Sequence, residues 1–308
     1  MSYVTNVQSL VGNTPMIELT HSDIPNQARI FAKLEFMNPG GSIKDRLGLK
    51  LIEDALKRKL LKPGGVIIEP TAGNTGIGLA MAAIGKDFKV IFVTPEKFSV
   101  EKQTLMRALG AEVINTPTEK GMRGAIAKAE ELNKEIPNSF SPQQFHNSAN
   151  PDTYYETLAP EMYLDMNGEI DVFIAGSGTG GTFTGTARFL KEKNKNTKTV
   201  IVEPEGSILN GGAPGSHRTE GIGMEFLPPY MDKGLFDAIH TIPDEIAFQR
   251  VRELALKEGL LVASSSGAAF EAALREAETA RPGTKIVTIF PDSSERYLSQ
   301  GIYEEENE

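Results

Sequence analysis

Three glycine-rich segments hold the residues with the most chemical capacity. The first is Asn38-Pro39-Gly40-Gly41-Ser42-Ile43-Lys44-Asp45-Arg46, at the head of an amphipathic stretch. Its glycine spacing is not that of a P-loop, and no Ser or Thr follows Lys44. Asp45 is expected to cap a helix, which puts Lys44 at the helix entrance. The positive helix end disfavours an ammonium there. A neutral lysine amine attacks carbonyls, so Lys44 is a Schiff-base candidate; a solvated surface charge is the plain alternative.

The second segment is Pro70-Thr71-Ala72-Gly73-Asn74-Thr75-Gly76, between the runs VIIE and IGLAMAA. It reads as a strand ending at a helix N-terminus. Thr71, Asn74 and Thr75 can add donors to the open backbone N–H groups there. A short polar loop of this kind suits a small carboxylate better than a diphosphate; an ordinary Asn/Thr helix cap is the alternative. The third is Gly176-Ser177-Gly178-Thr179-Gly180-Gly181-Thr182, after the strand-like DVFIA. It matches G-x-G-x-x-G at 176, 178 and 181, and Glu203 follows at the end of the next strand-like run, as in a dinucleotide-binding unit. The physics is more general: glycines let the backbone approach an anion, and a helix N-terminus supplies free N–H groups. Any phosphate fits that description, and a tight turn for packing alone is the other possibility.

Composition removes several kinds of chemistry. The 308 residues include no cysteine, which excludes disulfides, thiolate metal sites and thiol nucleophiles. Four histidines remain, His21, His146, His217 and His240, and no two have zinc-ligand spacing, so no metal is expected. The net charge of -9 disfavours nucleic acid and anionic membrane as partners. An anionic ligand would have to be met locally, by backbone N–H groups. No apolar run is long enough to span a bilayer, and MSYVTNVQSLVGNTP lacks the basic and apolar regions of a secretory signal, so a cytoplasmic protein is expected.

The elements that must position these segments alternate along the chain. Strands are predicted at 30–34, 66–69, 89–94, 112–116, 172–175, 199–203 and 286–290. Helices are predicted at 45–58, 76–84, 100–109, 123–135, 182–193, 244–257 and 268–280. VIFV, VFIA and VTIF are continuous apolar runs, as in strands buried on both faces, and the alternation argues for parallel α/β sheets. Ser99 is expected to cap a helix, with Gly110 and Gly259 just past helix ends. A domain break is expected in the Pro/Asn/Ser/Gln-rich stretch 137–153, and the long irregular stretch 210–223 is expected to be functional or mobile.

Taken together these segments resemble the tryptophan-synthase-β-like (fold type II) family of pyridoxal-phosphate (PLP) enzymes, above all the cysteine synthases and cystathionine β-synthases. The resemblance covers nearly the whole chain. It is carried by LVGNTP at 10–15, NPGGSIKDR at 38–46, EPTAGNTGIGLA at 69–80, QQFHNSANP at 143–151, GSGTGGTFTG at 176–185, VEPEGSIL at 202–209, EGIGMEF at 220–226, EGLLVASSSGAA at 258–269 and PDSSERYLS at 291–299. It implies that Lys44 carries the cofactor as a Schiff base and later moves the α-proton. Asn74 matches the residue bonded to the cofactor's phenolic oxygen. Gly178, Thr179, Gly180, Gly181 and Thr182 match its phosphate loop, and Ser265 the hydroxyl at its pyridine nitrogen. Thr71, Ala72, Gly73, Asn74 and Thr75, with Gln144, match the clamp on the substrate carboxylate, and Gly221 and Gly223 an active-site wall. Ala72 stands where cysteine synthases usually have serine, which removes one donor to substrate.

The implied fold is α/β, two parallel-sheet domains with PLP in the cleft between them. A smaller mobile domain is expected over 47–148, carrying the carboxylate loop. The larger, PLP-binding domain would combine 1–46 with 149–308. The implied reaction is β-replacement on O-acetylserine (or serine) by a thiol. A neutral hydroxyl at the ring nitrogen is a weaker electron sink than a carboxylate would allow, which favours β-elimination over transamination. EPEGSIL, EGIGMEF and EGLL are closer to cystathionine β-synthases, the short bacterial O-acetylserine-dependent forms in particular, so homocysteine is the expected thiol and sulfide a further one. A cysteine synthase proper is the alternative; an NAD-dependent oxidoreductase would rest on 176–203 alone. The implied partners are small amino-acid and thiol substrates and a second copy of the chain in a homodimer. Docking of a serine acetyltransferase is left open.

Overall fold

The computed structural model describes residues 3–71 and 73–304. Ten strands are found among them: β1 (Met16–Glu18), β2 (Arg29–Leu34), β3 (Val66–Pro70), β4 (Lys89–Pro95), β5 (Glu112–Thr116), β6 (Ser139–Phe140), β7 (Val172–Gly176), β8 (Lys198–Pro204), β9 (Ala238–Ile242) and β10 (Lys285–Phe290). The α-helices are α1 (Lys44–Lys57), α2 (Asn74–Ala83), α3 (Val100–Ala108), α4 (Gly121–Glu135), α5 (Ala149–Glu156), α6 (Leu158–Asp165), α7 (Gly181–Lys193), α8 (Asp244–Glu253) and α9 (Ser264–Glu278). Contacts gather the chain into two units. One holds Asn38–Asn150 with the N-terminal stretch ending at Val11; the other holds Gly12–Met37 with the chain from Pro151. The first begins at Asn38, where the sequence suggested 47, and ends at Asn150, where it suggested 148.

The first unit is built on a four-stranded sheet in the order β5-β4-β3-β6, every pair parallel. All of β3 and all of β4 except Lys89 is buried, as expected of central parallel strands covered on both faces. Val66, Ile68, Ile91 and Val93 meet Ala125 and Ala129 of α4 in one core cluster. Helix α1 buries Leu47, Leu51 and Ala55, spaced by one turn. Helix α2 is buried from Thr75 to Ala83, which its small residues permit. Ser99 caps α3 by accepting the Lys102 N–H at 3.2 Å, and Gly110 follows with a left-handed φ of 88°.

The second unit is built on a six-stranded sheet in the order β1-β2-β10-β7-β8-β9, parallel except for β1. Ile30, Ile174, Val200 and Ile286 from four of its strands share a core with Phe270 of α9. Helix α8 runs into a π-helical turn, Leu254–Glu258, that Gly259 closes in a left-handed conformation. Residues 210–223 have no regular structure.

Three strands and two helices lie outside the sequence expectation: β1, β6 and β9, and α5 and α6. The polar, proline-containing stretch read as a break holds the start of α5. Pro151 and Pro160 fall in the first turns of α5 and α6. A missing N–H costs nothing there, because no intrahelical acceptor waits for it.

Candidate active site

In the first unit, Lys44 is the first residue of α1, and the N-cap is Ile43, without a side-chain cap. This corrects the expected role of Asp45. Asp45 lies inside the first turn, is fully buried, and accepts the Gly40 N–H at 2.6 Å. It closes the Gly40-Gly41 turn, while the Ser42 hydroxyl accepts the Lys44 N–H at 3.2 Å. Lys44 is half-buried. Its backbone is fixed by helix packing: a Cβ at Gly78 would strike the Lys44 carbonyl, and one at Gly48 would strike Gly78. Glycine at 48 and 78 therefore lets α1 and α2 touch backbone to backbone, which brings the start of α1 beside the first turns of α2.

The Thr71–Thr75 loop lies at the head of α2. The Thr71 hydroxyl, 1 % exposed, accepts the Gly73 N–H at 3.1 Å. Gly73 has φ 133°, and the Lys102 side chain crosses where its Cβ would be, so only glycine fits. Asn74 begins the helix. Thr75 donates its hydroxyl to Gln144 Oε1 at 2.7 Å, and Gln144 Nε2 donates to the Pro70 carbonyl at 3.1 Å. Thr71, Gly73, Asn74, Thr75 and Gln144 are thus brought together; Ala72 lies outside the described residues. The Ile77 N–H is bonded to the Gly73 carbonyl at 3.0 Å, which leaves the earlier N–H groups without an intrahelical acceptor, an arrangement suited to a carboxylate.

No functional expectation was attached to Glu69, which lies just below this loop. It is fully buried at the end of β3, and its carboxylate accepts the N–H groups of Gln143 and Gln144, each at 2.9 Å. Burial pushes its carboxyl up to about 8 although the two N–H donors pull it down. A glutamate at the end of the otherwise apolar run VIIE marks the position as unusual, but nothing local in the sequence identifies its partners.

In the second unit, the loop after β7 leads into α7. Gly180 is the N-cap, with a left-handed φ of 80°. Thr179 and Thr182 are buried beside the N–H groups of the first turn. A Cβ at Gly178 would strike the Gly221 carbonyl, and the Gly223 N–H donates to the Ser177 carbonyl at 2.8 Å, so 221–223 lies against this loop. The Tyr230 hydroxyl donates to the Thr179 carbonyl at 2.8 Å. Ser265, in the first turn of α9, is 2 % exposed, and its Oγ would lie 3.9 Å from a Cβ on Gly221. That Oγ has no hydrogen-bond partner within the protein. A buried hydroxyl in that state calls for a ligand atom. A ring nitrogen that accepts a hydrogen bond fits Ser265, and a phosphate fits the α7 loop, so the residues present suit PLP.

Glu203 does not serve as a ribose-binding acid. It is fully buried and accepts the N–H groups of Leu209 and Asn210 at 2.9 Å each, with the Thr241 hydroxyl at 3.2 Å. Its oxygens are committed to the turn after β8. Among the described residues, no group of three or more His, Asp or Glu is placed to hold a metal ion, and no helix is long and apolar enough to cross a membrane.

The sequence profile described as "Pyridoxal-phosphate dependent enzyme" matches residues 7–292. The O-acetylserine dependent cystathionine beta-synthase of Bacillus subtilis (strain 168) is 61% identical over 304 residues, covering 99% of this chain and 99% of that protein. The cysteine synthase of Helicobacter pylori (strain ATCC 700392 / 26695) is 54% identical over 305 residues, covering 98% of this chain and 100% of its own. A crystal structure of an O-acetylserine dependent cystathionine beta-synthase from Helicobacter pylori superposes with a TM-score of 0.95 at 54% identity, covering 99% of this chain and 100% of that one.

Proposed function

The chain belongs to the pyridoxal-phosphate-dependent enzymes, and from that membership we propose that it replaces the β-acetoxy group of O-acetylserine with a thiol. Homocysteine is the proposed acceptor, giving cystathionine, with cysteine formed from sulfide as a second activity. The observation that carries this reading is the carboxylate-binding array at the head of α2, packed backbone to backbone with the helix that begins at Lys44. An amino acid held there by its carboxylate has a lysine amine supplied from the neighbouring helix.

PLP, when bound, supplies the sink for the electron pair left at Cα when the α-proton departs. In this reading Lys44 would hold the cofactor through its side-chain amine and would serve as the base that takes the Cα proton. Gly178, Thr179, Gly180, Gly181 and Thr182 hold the phosphate at the N-terminus of α7, where backbone N–H groups offset its charge. Ser265 would offer its buried hydroxyl to the pyridine nitrogen, and Asn74 would donate to the phenolic oxygen. Thr71, Ala72, Gly73, Asn74, Thr75 and Gln144 orient the substrate carboxylate, and Gly221 and Gly223 wall the site. The proposed assembly is a homodimer, and the proposed compartment is the cytoplasm.

The Bacillus subtilis relative and the motifs EPEGSIL, EGIGMEF and EGLL support homocysteine; the Helicobacter pylori cysteine synthase supports sulfide as the main acceptor. The deciding experiment compares kcat/KM for homocysteine and sulfide with O-acetylserine as first substrate. A higher value for homocysteine is expected, and a strong preference for sulfide would replace this reading with a cysteine synthase. Sedimentation of the holoenzyme as a monomer would overturn the homodimer.

A further inference from the structure

A carboxylate in the interior of a parallel sheet is costly, and β3 places one there. The strand reads Val66-Ile67-Ile68-Glu69-Pro70 with every residue buried. The Glu69 carboxyl accepts two consecutive amides, Gln143 N–H and Gln144 N–H, at 2.9 Å each, and these bonds offset part of the cost of burying it. Those amides belong to a segment with no strand or helix of its own, residues 141–148. Gln143 is bent to a φ of 53°, a left-handed conformation that a non-glycine residue adopts only when its surroundings enforce it. The Asn150 side chain donates to the Gln144 carbonyl at 2.8 Å. The Gln144 side chain then spans the carboxylate loop, from the Pro70 carbonyl to the Thr75 hydroxyl.

We infer that Glu69 is a positioning residue for the amino-acid carboxylate site: by holding the Gln143 and Gln144 amides, it fixes the Gln144 carboxamide against the head of α2 before the substrate arrives. A site built in advance loses less free energy in ordering when its ligand binds. The same device recurs in the other unit. There Glu203, also followed by proline at a strand end, holds the consecutive amides of Leu209 and Asn210. The role of Glu69 rests on the proposed β-replacement, because it assumes that Gln144 meets a substrate carboxylate.

The test uses the holoenzyme and the variants Glu69→Gln, Gln144→Ala and their combination, with O-acetylserine varied at saturating thiol. The amide of Glu69→Gln keeps one acceptor but turns a donor toward the second N–H. KM is expected to rise roughly tenfold with kcat nearly unchanged, the upper end of what one neutral hydrogen bond is worth. In the Gln144→Ala background the same substitution is expected to add little, because Glu69 acts through Gln144. An unchanged KM, or effects that add in full, would overturn the role. If Glu69→Gln does not fold, hydrogen exchange of wild-type holoenzyme decides: the Gln143 and Gln144 amides are expected to be protected like those of β3, and exchange at the rate of an open loop would overturn it. Absence of any O-acetylserine turnover by the wild type would remove the enzymatic reading itself. Turnover with an unchanged KM in Glu69→Gln would remove the Glu69 role alone.

Discussion

Replacing Gly78 by alanine separates the placement of Lys44 from its presence. A methyl group at Gly78 would strike the Lys44 carbonyl oxygen and stand 2.8 Å from the Lys44 carbonyl carbon and 3.2 Å from Asp45 Cα. Carbon atoms settle about 3.5–4.0 Å apart, so the start of α1 has to retreat by roughly 1 Å. Overpacking of this kind costs about 1–3 kcal/mol, and the better helix propensity of alanine offsets about 1 kcal/mol of it. The unfolding temperature of the holoenzyme is therefore expected to fall by only a few degrees. The chemistry is more sensitive, because displacing a reacting group by about 1 Å costs on the order of 100-fold in rate. Steady-state assays with O-acetylserine are expected to show that loss in kcat/KM, while the protein keeps the yellow colour of lysine-bound PLP. A variant that is measurably less stable yet keeps wild-type kcat/KM would refute the reasoning, since the contact between α1 and α2 would then not set the position of Lys44.

Other substitutions test the remaining groups. Lys44→Ala is expected to abolish both turnover and the visible absorption of lysine-bound PLP; a variant that keeps that absorption would show that another amine holds the cofactor. Ser265→Asp, which puts a carboxylate where a buried hydroxyl now lacks a partner, is expected to change the visible spectrum during turnover and to slow β-replacement; an unchanged rate and spectrum would count against Ser265 meeting the ring nitrogen. The Glu69 carboxyl, raised from 4.5 to about 8, binds its proton more tightly in the folded chain than in the unfolded one. Its contribution to stability is complete below the unfolded value and is lost as pH rises through the folded value, so between 4.5 and about 8 the wild type is expected to lose stability relative to Glu69→Gln, by a few kcal/mol at most. Chemical denaturation of both proteins across that range, with parallel pH profiles, would refute the assignment.

The parts of the fold legible in the sequence are those that two-sided burial writes into it. Strands β3, β4, β7, β8 and β10 carry apolar runs because helices cover both faces, and every one of them was expected within a residue or two. The missed strands share a different position. β1 and β9 are the two edges of the six-stranded sheet, and β6 is an edge of the four-stranded one. An edge strand needs fewer apolar residues, and these are short or half-buried. The errors around the site were of one kind. Asp45, Glu69 and Glu203 each satisfy backbone N–H groups at a distance of several residues to many tens of residues in sequence. No local pattern announces such a bond. Asp45 looked like a cap because short-range spacing was the only guide available, and the spacing that made Glu203 resemble a ribose-binding acid loses that meaning once the resemblance to PLP enzymes leaves no ribose to bind.

The same three acids bear on how, in the proposed reading, a chain of net charge -9 would hold anionic ligands. Apart from Lys44 and the Lys102 side chain that crosses Gly73, the proposed donors are N–H groups at the heads of α2 and α7, at the carboxyl ends of β3 and β7. N–H groups offset an anion only if nothing else consumes them and if the loop that presents them is held still. The buried carboxylates bond to amides outside the helix heads: Asp45 to Gly40, Glu69 to Gln143 and Gln144, Glu203 to Leu209 and Asn210. They tie down the Gly40-Gly41 turn, the segment 143–144 and the turn after β8. Buried carboxyl groups thus shape the loops beside the proposed anion sites through geometry, not through their charge. A basic surface would serve anion binding through long-range attraction, but would not fix the orientation of a carboxylate beside Lys44.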